Sequence, residues 1–117
     1  MIYFIGAGPG AADLITVKGK ELLEKADLII YAGSLVNPEL LNYAKPECII
    51  MDSAKMTLEE VIAAMVPAAQ AGKLVVRLHT GDPSVYGAHR EQIDLLRSYN
   101  LDFEIVPGVS SFCAAAA

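Results

Sequence analysis

The sequence lacks any apolar run approaching the ~18 residues of a membrane-spanning helix, although 54% of its 117 residues are hydrophobic. The hydrophobic content is dispersed, which excludes a membrane span and leaves enough apolar side chain for one domain with a real core. Positive charge is also short. Nine Lys and Arg stand against 14 Asp and Glu, a net charge of -5, which argues against nucleic acid as the main partner. The amino terminus, Met1-Ile2-Tyr3-Phe4-Ile5-Gly6, has no basic stretch ahead of it and reads as a first strand, not a signal peptide. Cysteine is scarce: Cys48 and Cys113 sit far apart in apolar surroundings, so buried free thiols in a reducing cytoplasm are expected. Neither His79 nor His89 has a Cys or Asp spaced for a metal site, so no metal is expected. There is no internal repeat, and the one low-complexity tract is the terminal alanines. The closing stretch, Ser110-Ser111-Phe112-Cys113-Ala114, reads as a helix that has only begun. The sequence is therefore expected to be a truncated chain.

What is present is an alternation of short apolar runs and helical patterns. Runs at 2–5, 28–31, 48–51, 74–78 and 103–106 predict five strands. Between them, helices are expected from the Thr16 cap to about Lys25, briefly after Asn37-Pro38, after Thr57, and over 88–99. Thr57-Leu58-Glu59-Glu60 fits a capping box, and Leu58, Val61, Ile62, Met65 and Ala69 follow helical spacing. Pro67 is expected to kink that helix, with Gly72 as its C-cap. Gly19, inside the first helix, implies close packing on the sheet. Ile93, Leu96 and Tyr99 are expected on one face of the last helix, and Asn100 as its left-handed cap. This order predicts an α/β fold: a mostly parallel five-stranded sheet with helices on both faces.

Four strand ends carry loops of small residues: 6–10, 32–34, 80–87 and 107–111. In open α/β sheets the loops at the carboxyl ends of strands bind ligands. The chain is organised around Arg77-Leu78-His79-Thr80-Gly81-Asp82-Pro83-Ser84-Val85-Tyr86-Gly87, in which Gly81 allows close approach of backbone to a ligand. Asp82-Pro83 is also an ordinary helix start, Asp as N-cap and Pro at the first helical position. The loop Gly6-Ala7-Gly8-Pro9-Gly10-Ala11 matches the dinucleotide fingerprint. However, Pro9 removes an N–H from the would-be phosphate cradle, and no acidic residue closes the second strand, where a ribose partner belongs. No Ser-His-Asp arrangement can be read. The residues alone leave two classes open: a nicotinamide-dependent oxidoreductase domain, from the first loop, and a non-catalytic ligand-binding or regulatory α/β module.

As a set, Gly6-Ala7-Gly8-Pro9-Gly10 with Asp13-Leu14-Ile15-Thr16, Tyr31 to Val36, Gly81-Asp82-Pro83 and Val106-Pro107-Gly108-Val109-Ser110-Ser111 resembles the amino-terminal domain of the tetrapyrrole methylases. Tyr31 to Val36 and Leu78 to Ala88 resemble the branch that methylates C11 of precorrin-4 or cobalt-precorrin-4 in corrin ring biosynthesis. The resemblance implies S-adenosylmethionine as cofactor, released as S-adenosylhomocysteine, a small-molecule tetrapyrrole substrate, a homodimer and a cytoplasmic enzyme. It also implies that residues 1–109 form an amino-terminal α/β domain and that 110–117 begin the connection to a second, carboxyl-terminal domain. Uroporphyrinogen or another precorrin is the alternative substrate within the family. Carried over residue by residue, Pro9 would line the cofactor. Thr80, Gly81 and Asp82 would bond it largely through backbone groups, Val85 would lie beside them, and Ser110 and Ser111 would close that side. Relatives often have Asp directly after the Gly-Pro-Gly turn. Here that residue is Ala11, so no general base is assigned. Arg77 and His79 are candidates for local positive charge toward the carboxylate-rich substrate.

Overall fold

The computed structural model describes residues 1–6, 17–31, 38–79 and 85–106, with the backbone alone for Pro38 and for 85–90. Five strands form one sheet: β1 (Ile2–Gly6), β2 (Leu28–Tyr31), β3 (Ile49–Asp52), β4 (Val75–His79) and β5 (Phe103–Val106). Their spatial order is β3-β2-β4-β1-β5, and all four pairings are parallel. Among the described residues three α-helices, α1 (Val17–Lys25), α2 (Leu58–Gln70) and α3 (Val85–Ser98), and two 3-10 segments, Pro38–Tyr43 and Ser53–Lys55, lie between them.

The helices divide between the faces for a reason of chirality. The chain moves one way across the sheet from β1 through β2 to β3, then back through β4 to β5. Parallel crossovers are right-handed, so connections running in opposite directions lie on opposite faces. Leu23 of α1 and Leu40 of the 3-10 segment accordingly pack with Ile5, Ile29, Val76, Leu78 and Val106. Val61, Ile62 and Met65 of α2 and Ile93 and Leu96 of α3 pack with Ile2, Phe4, Leu28, Ile30 and Val75. The alternation within each strand follows from the period of two, and covering both faces explains why the strands are near-continuous apolar runs. Gly19 is buried on α1, as its place in an apolar interface requires.

Local chemistry sets the helix ends. Thr57 accepts from the Glu60 N–H at 3.1 Å, while the Glu60 carboxylate accepts from the Thr57 N–H at 3.3 Å, so the expected capping box is present. α2 closes on Gly72 at φ 81°: Gly72 N–H donates to the Ala69 carbonyl and Lys73 N–H to the Ala68 carbonyl, a Schellman closure. α3 closes the same way on Asn100 at φ 57°, with Leu101 N–H donating to the Leu96 carbonyl at 3.2 Å.

Several expectations shift. β3 and β4 each begin and end one residue later than the apolar runs suggest, because pairing register and not hydropathy fixes strand ends. α3 begins at Val85 rather than 88 and ends at Ser98. Tyr99 is exposed beyond it, off the buried face. The segment after Pro38 is a 3-10 helix. α2 runs past Pro67 to Gln70; the proline costs one backbone bond without ending the helix. Cys48 is a free thiol but half-buried rather than buried, and partial burial raises its pKa. Thr16 and Cys113 lie outside the described residues.

Candidate functional site at the carboxyl ends of the strands

The sheet register gathers the four loops. Gly6 of β1 lies opposite His79 of β4. Tyr31 of β2 lies opposite Leu78, and Val106 of β5 opposite Ile5. The segments that follow Tyr31, His79, Gly6 and Val106 therefore leave neighbouring strands along a single edge of the sheet. The connection after β4 passes to the α2/α3 face. Those after its neighbours β1 and β2 pass to the other face. Connections that diverge in this way mark the carboxyl ends of β1, β2 and β4 as the edge where an open α/β sheet binds its ligands.

Of the expected cofactor residues, Pro9, Thr80, Gly81, Asp82, Ser110 and Ser111 lie outside the described residues. Val85 is the first residue of α3, described in its backbone only. The candidates for positive charge are described. Arg77 and His79 are buried, at 5% and 4% exposure, so neither side chain lies at the surface. The Arg77 Nε donates to Gln92 Oε1 on α3, and its Nη1 donates to the Ile30 carbonyl on β2, each at 3.3 Å. Burial pulls the guanidinium down to about 10, which leaves it cationic at neutral pH. Among the described residues it forms no ion pair. The sequence reading missed Gln92. Its signal is a polar residue on a buried stripe, four before Leu96 and next to Ile93.

The dinucleotide alternative fails on topology. Its fingerprint requires the first two strands to be neighbours, so that an acid at the end of the second can reach the ribose. Here β4 lies between β1 and β2, and β2 ends on Tyr31. Among the described residues no group of His, Cys, Asp and Glu could hold a metal ion, and no helix is long and apolar enough to cross a membrane. A cavity of about 300 Å³ lies elsewhere, between β3 and α2 near Asp27 and Lys73, at the opposite end of the strands from the loops.

The five-stranded parallel sheet with helices on both faces defines a doubly wound α/β domain. Its sequence matches the model of the tetrapyrrole (corrin/porphyrin) methylases over residues 1–117, and the chain belongs to that family. It is 60% identical over 116 residues to the cobalt-precorrin-4 C(11)-methyltransferase of Methanocaldococcus jannaschii, covering 99% of this chain and 45% of that protein. The X-ray structure of a cobalamin biosynthetic enzyme, cobalt precorrin-4 methyltransferase, superposes with a TM-score of 0.91 at 52% identity, covering 98% of this chain and 48% of the other. Uroporphyrin-III C-methyltransferase from Thermus thermophilus, complexed with S-adenosyl homocysteine, superposes with a TM-score of 0.77 at 34% identity, covering 98% and 47%. The chain thus spans about half the length of the relatives it matches.

Proposed function

We propose that this chain is the amino-terminal, cofactor-facing part of an S-adenosylmethionine-dependent methyltransferase acting on C11 of precorrin-4 or cobalt-precorrin-4. The observation that carries this reading is the 60% identity, sustained over almost the whole chain, to a relative named for that reaction. Among solved structures, the one named for cobalt precorrin-4 stands at 52% identity and one named for uroporphyrin-III at 34%. On this reading residues 1–109 form the first of two domains, and 110–117 begin the connection to the second. The active unit is a cytoplasmic homodimer with a small-molecule tetrapyrrole as substrate and no nucleic-acid partner.

The end of β1 supports the cofactor reading. Gly6 brings no side chain to the end of β1, so backbone can approach a ligand where β1 and β4 meet. When bound, S-adenosylmethionine supplies an electrophilic methyl group on a sulfonium. Pro9, Thr80, Gly81, Asp82, Val85, Ser110 and Ser111 would hold it from three adjacent strand ends. Their task is alignment and exclusion of water, since a near-attack separation of about 3–3.5 Å accounts for much of the barrier in such transfers. No proton acceptor is assigned among them.

The test uses the full-length protein with methyl-labelled S-adenosylmethionine and, in separate reactions, cobalt-precorrin-4, precorrin-4 and uroporphyrinogen III. Label on a precorrin-4 form at C11 is the expected result. Label on uroporphyrinogen III alone would move the protein to the other branch of the family. Light scattering on the same sample reads the expected dimer mass.

A further inference from the structure

The two edges of the sheet are finished differently. β5, the edge from which the chain runs on past Val106, carries Glu104, which pairs with Lys18 of α1 at 2.6 Å, and Phe103, whose ring lies under Arg97. β3, the other edge, is Ile49-Ile50-Met51-Asp52, with no Lys, Arg or Pro in it. Edge strands are commonly blunted by such residues, because an open row of N–H and C=O groups is a template for another strand. This edge is apolar on both faces. Ile49, 53% exposed, lies on the α2 side, where it lines the 300 Å³ cavity with Met51, Ala63, Ala64, Pro67 and Ala68. Ile50, 40% exposed, points to the opposite face by the alternation of a strand.

The backbone adds a register. Ile49 N–H donates to the Asp27 carbonyl at 3.0 Å, and Ile49 pairs with Leu28 of β2. Alternate residues of a parallel strand turn both backbone groups to the same side. Ile49 and Met51 therefore face β2, and Ile50 turns its N–H and C=O to the open edge.

We propose that β3 is a dimer edge, pairing antiparallel with β3 of a second copy about a twofold axis perpendicular to the sheet. Ile50 lies opposite the partner's Ile50, and Ile49 opposite the partner's Met51. In this register the two Ile50 residues exchange N–H···O=C bonds, and apolar side chains meet apolar ones on both faces. The neighbouring register of the same symmetry, centred on Met51, would set Ile50 against Asp52. A second copy is the occupant for two reasons. The edge is complementary to itself, as a twofold interface requires. The residues beyond Val106 leave from β5, with three strands between that edge and β3. The interface rests on the reading above in which the active unit is a homodimer.

The test takes the full-length protein with Ile50→Lys, Ile50→Cys and Leu95→Lys, the last at an exposed apolar position of α3. Light scattering over a dilution series reads the mass. The unaltered protein and Leu95→Lys should be dimers. Ile50→Lys sets like charges against each other across the axis and should raise the dimer Kd about a hundredfold or more, with an unchanged far-UV spectrum. Under mild oxidation Ile50→Cys should give a covalent dimer whose bond peptide mapping places between the two positions 50. Opposed Cα atoms in a hydrogen-bonded pair are about 5.5 Å apart, within disulfide range. Cys48 should form no such bond with its copy, since it stands opposite the partner's Asp52. The cross-link keeps the test open even where Ile50→Lys fails to fold. A dimer that withstands Ile50→Lys and gives no link through position 50 would overturn this interface and leave the dimer standing. A monomeric unaltered protein would overturn both. A bond from position 50 to a cysteine of the same chain would show that the chain covers its own edge, and would overturn the interface.

Discussion

At the scale of single residues, the same side-chain type does different work at the two ends of the strands. Asp27 lies at the amino end, just before β2. Its carboxylate accepts from Lys45 Nζ at 2.7 Å and from the Leu74 N–H at 2.9 Å, and its carbonyl accepts from the Ile49 N–H. One residue thus joins the starts of β2, β3 and β4. The hydrogen bond from Lys45, followed by that from Leu74, lowers the Asp27 pKa. A carboxylate lowered on folding contributes stability above its unfolded value near 4, and loses it as pH falls through the folded value. Asp27→Asn should therefore lower the urea midpoint at pH 7, and the gap from the unaltered protein should narrow as pH falls below about 4; a gap independent of pH would show that charge is not the cause. Asp82, at the carboxyl end, poses the opposite question. Asn caps a helix about as well as Asp, so Asp82→Asn should leave the melting temperature in place. If the charge also serves the cofactor, S-adenosylhomocysteine affinity should fall by roughly ten- to hundredfold, the equivalent of about 1.5–3 kcal/mol. Gly81→Val should likewise reduce affinity more than stability, because a branched side chain crowds a backbone cradle. Unchanged affinity in both variants would leave 80–84 as no more than the segment that leads into α3.

At the scale of elements, helix ends were the most legible part of the sequence, because a cap depends on a few adjacent residues and little else. Thr57 with Glu60, Gly72 and Asn100 all take their expected roles. Thr57→Ala removes the hydroxyl that accepts from Glu60 and should cost about 1 kcal/mol. Gly72→Ala should cost a similar ~1 kcal/mol: no atom lies within 4 Å of an added Cβ there, so the penalty is the left-handed backbone and not a clash. Urea denaturation of each variant measures this, and a Gly72→Ala protein as stable as the original would contradict the conformational account. Strand ends were less legible. Leu74 is apolar yet lies outside β4, and His79 is polar yet lies inside it, because the partner strand decides which residues pair.

At the scale of the whole molecule, the chain supplies four loop origins on one sheet edge but only about half the length of its relatives. Alignment of two reactants is most of what such an enzyme contributes. Residues 1–117 alone should therefore transfer no methyl group to either form of precorrin-4, while the full-length protein does. Turnover by the 117-residue piece at a comparable rate would show that the described half suffices. The β3 edge adds a second point at this scale. Ile49 and Ile50 are 53% and 40% exposed, an apolar edge of the kind that leads to association in isolated domains, so an excised piece is best assayed at low concentration.

The sequence by itself determined the number and kind of elements, their caps, the parallel character of the sheet and the family, because each depends on local spacing or on motifs that survive in one dimension. It also marked the four loops as a set. The order of the strands was decided only by tertiary structure. The placement of β4 between β1 and β2 brings Gly6 to His79 and removes the dinucleotide alternative, since glycine spacing in the first loop is the same whichever strand lies beside it. The partners of Arg77 belong to the same class. Ile30, Arg77 and Gln92 are separated by 47 and 15 residues in the chain, and no local pattern joins them. They meet because a buried cation must find acceptors where the packed elements leave them.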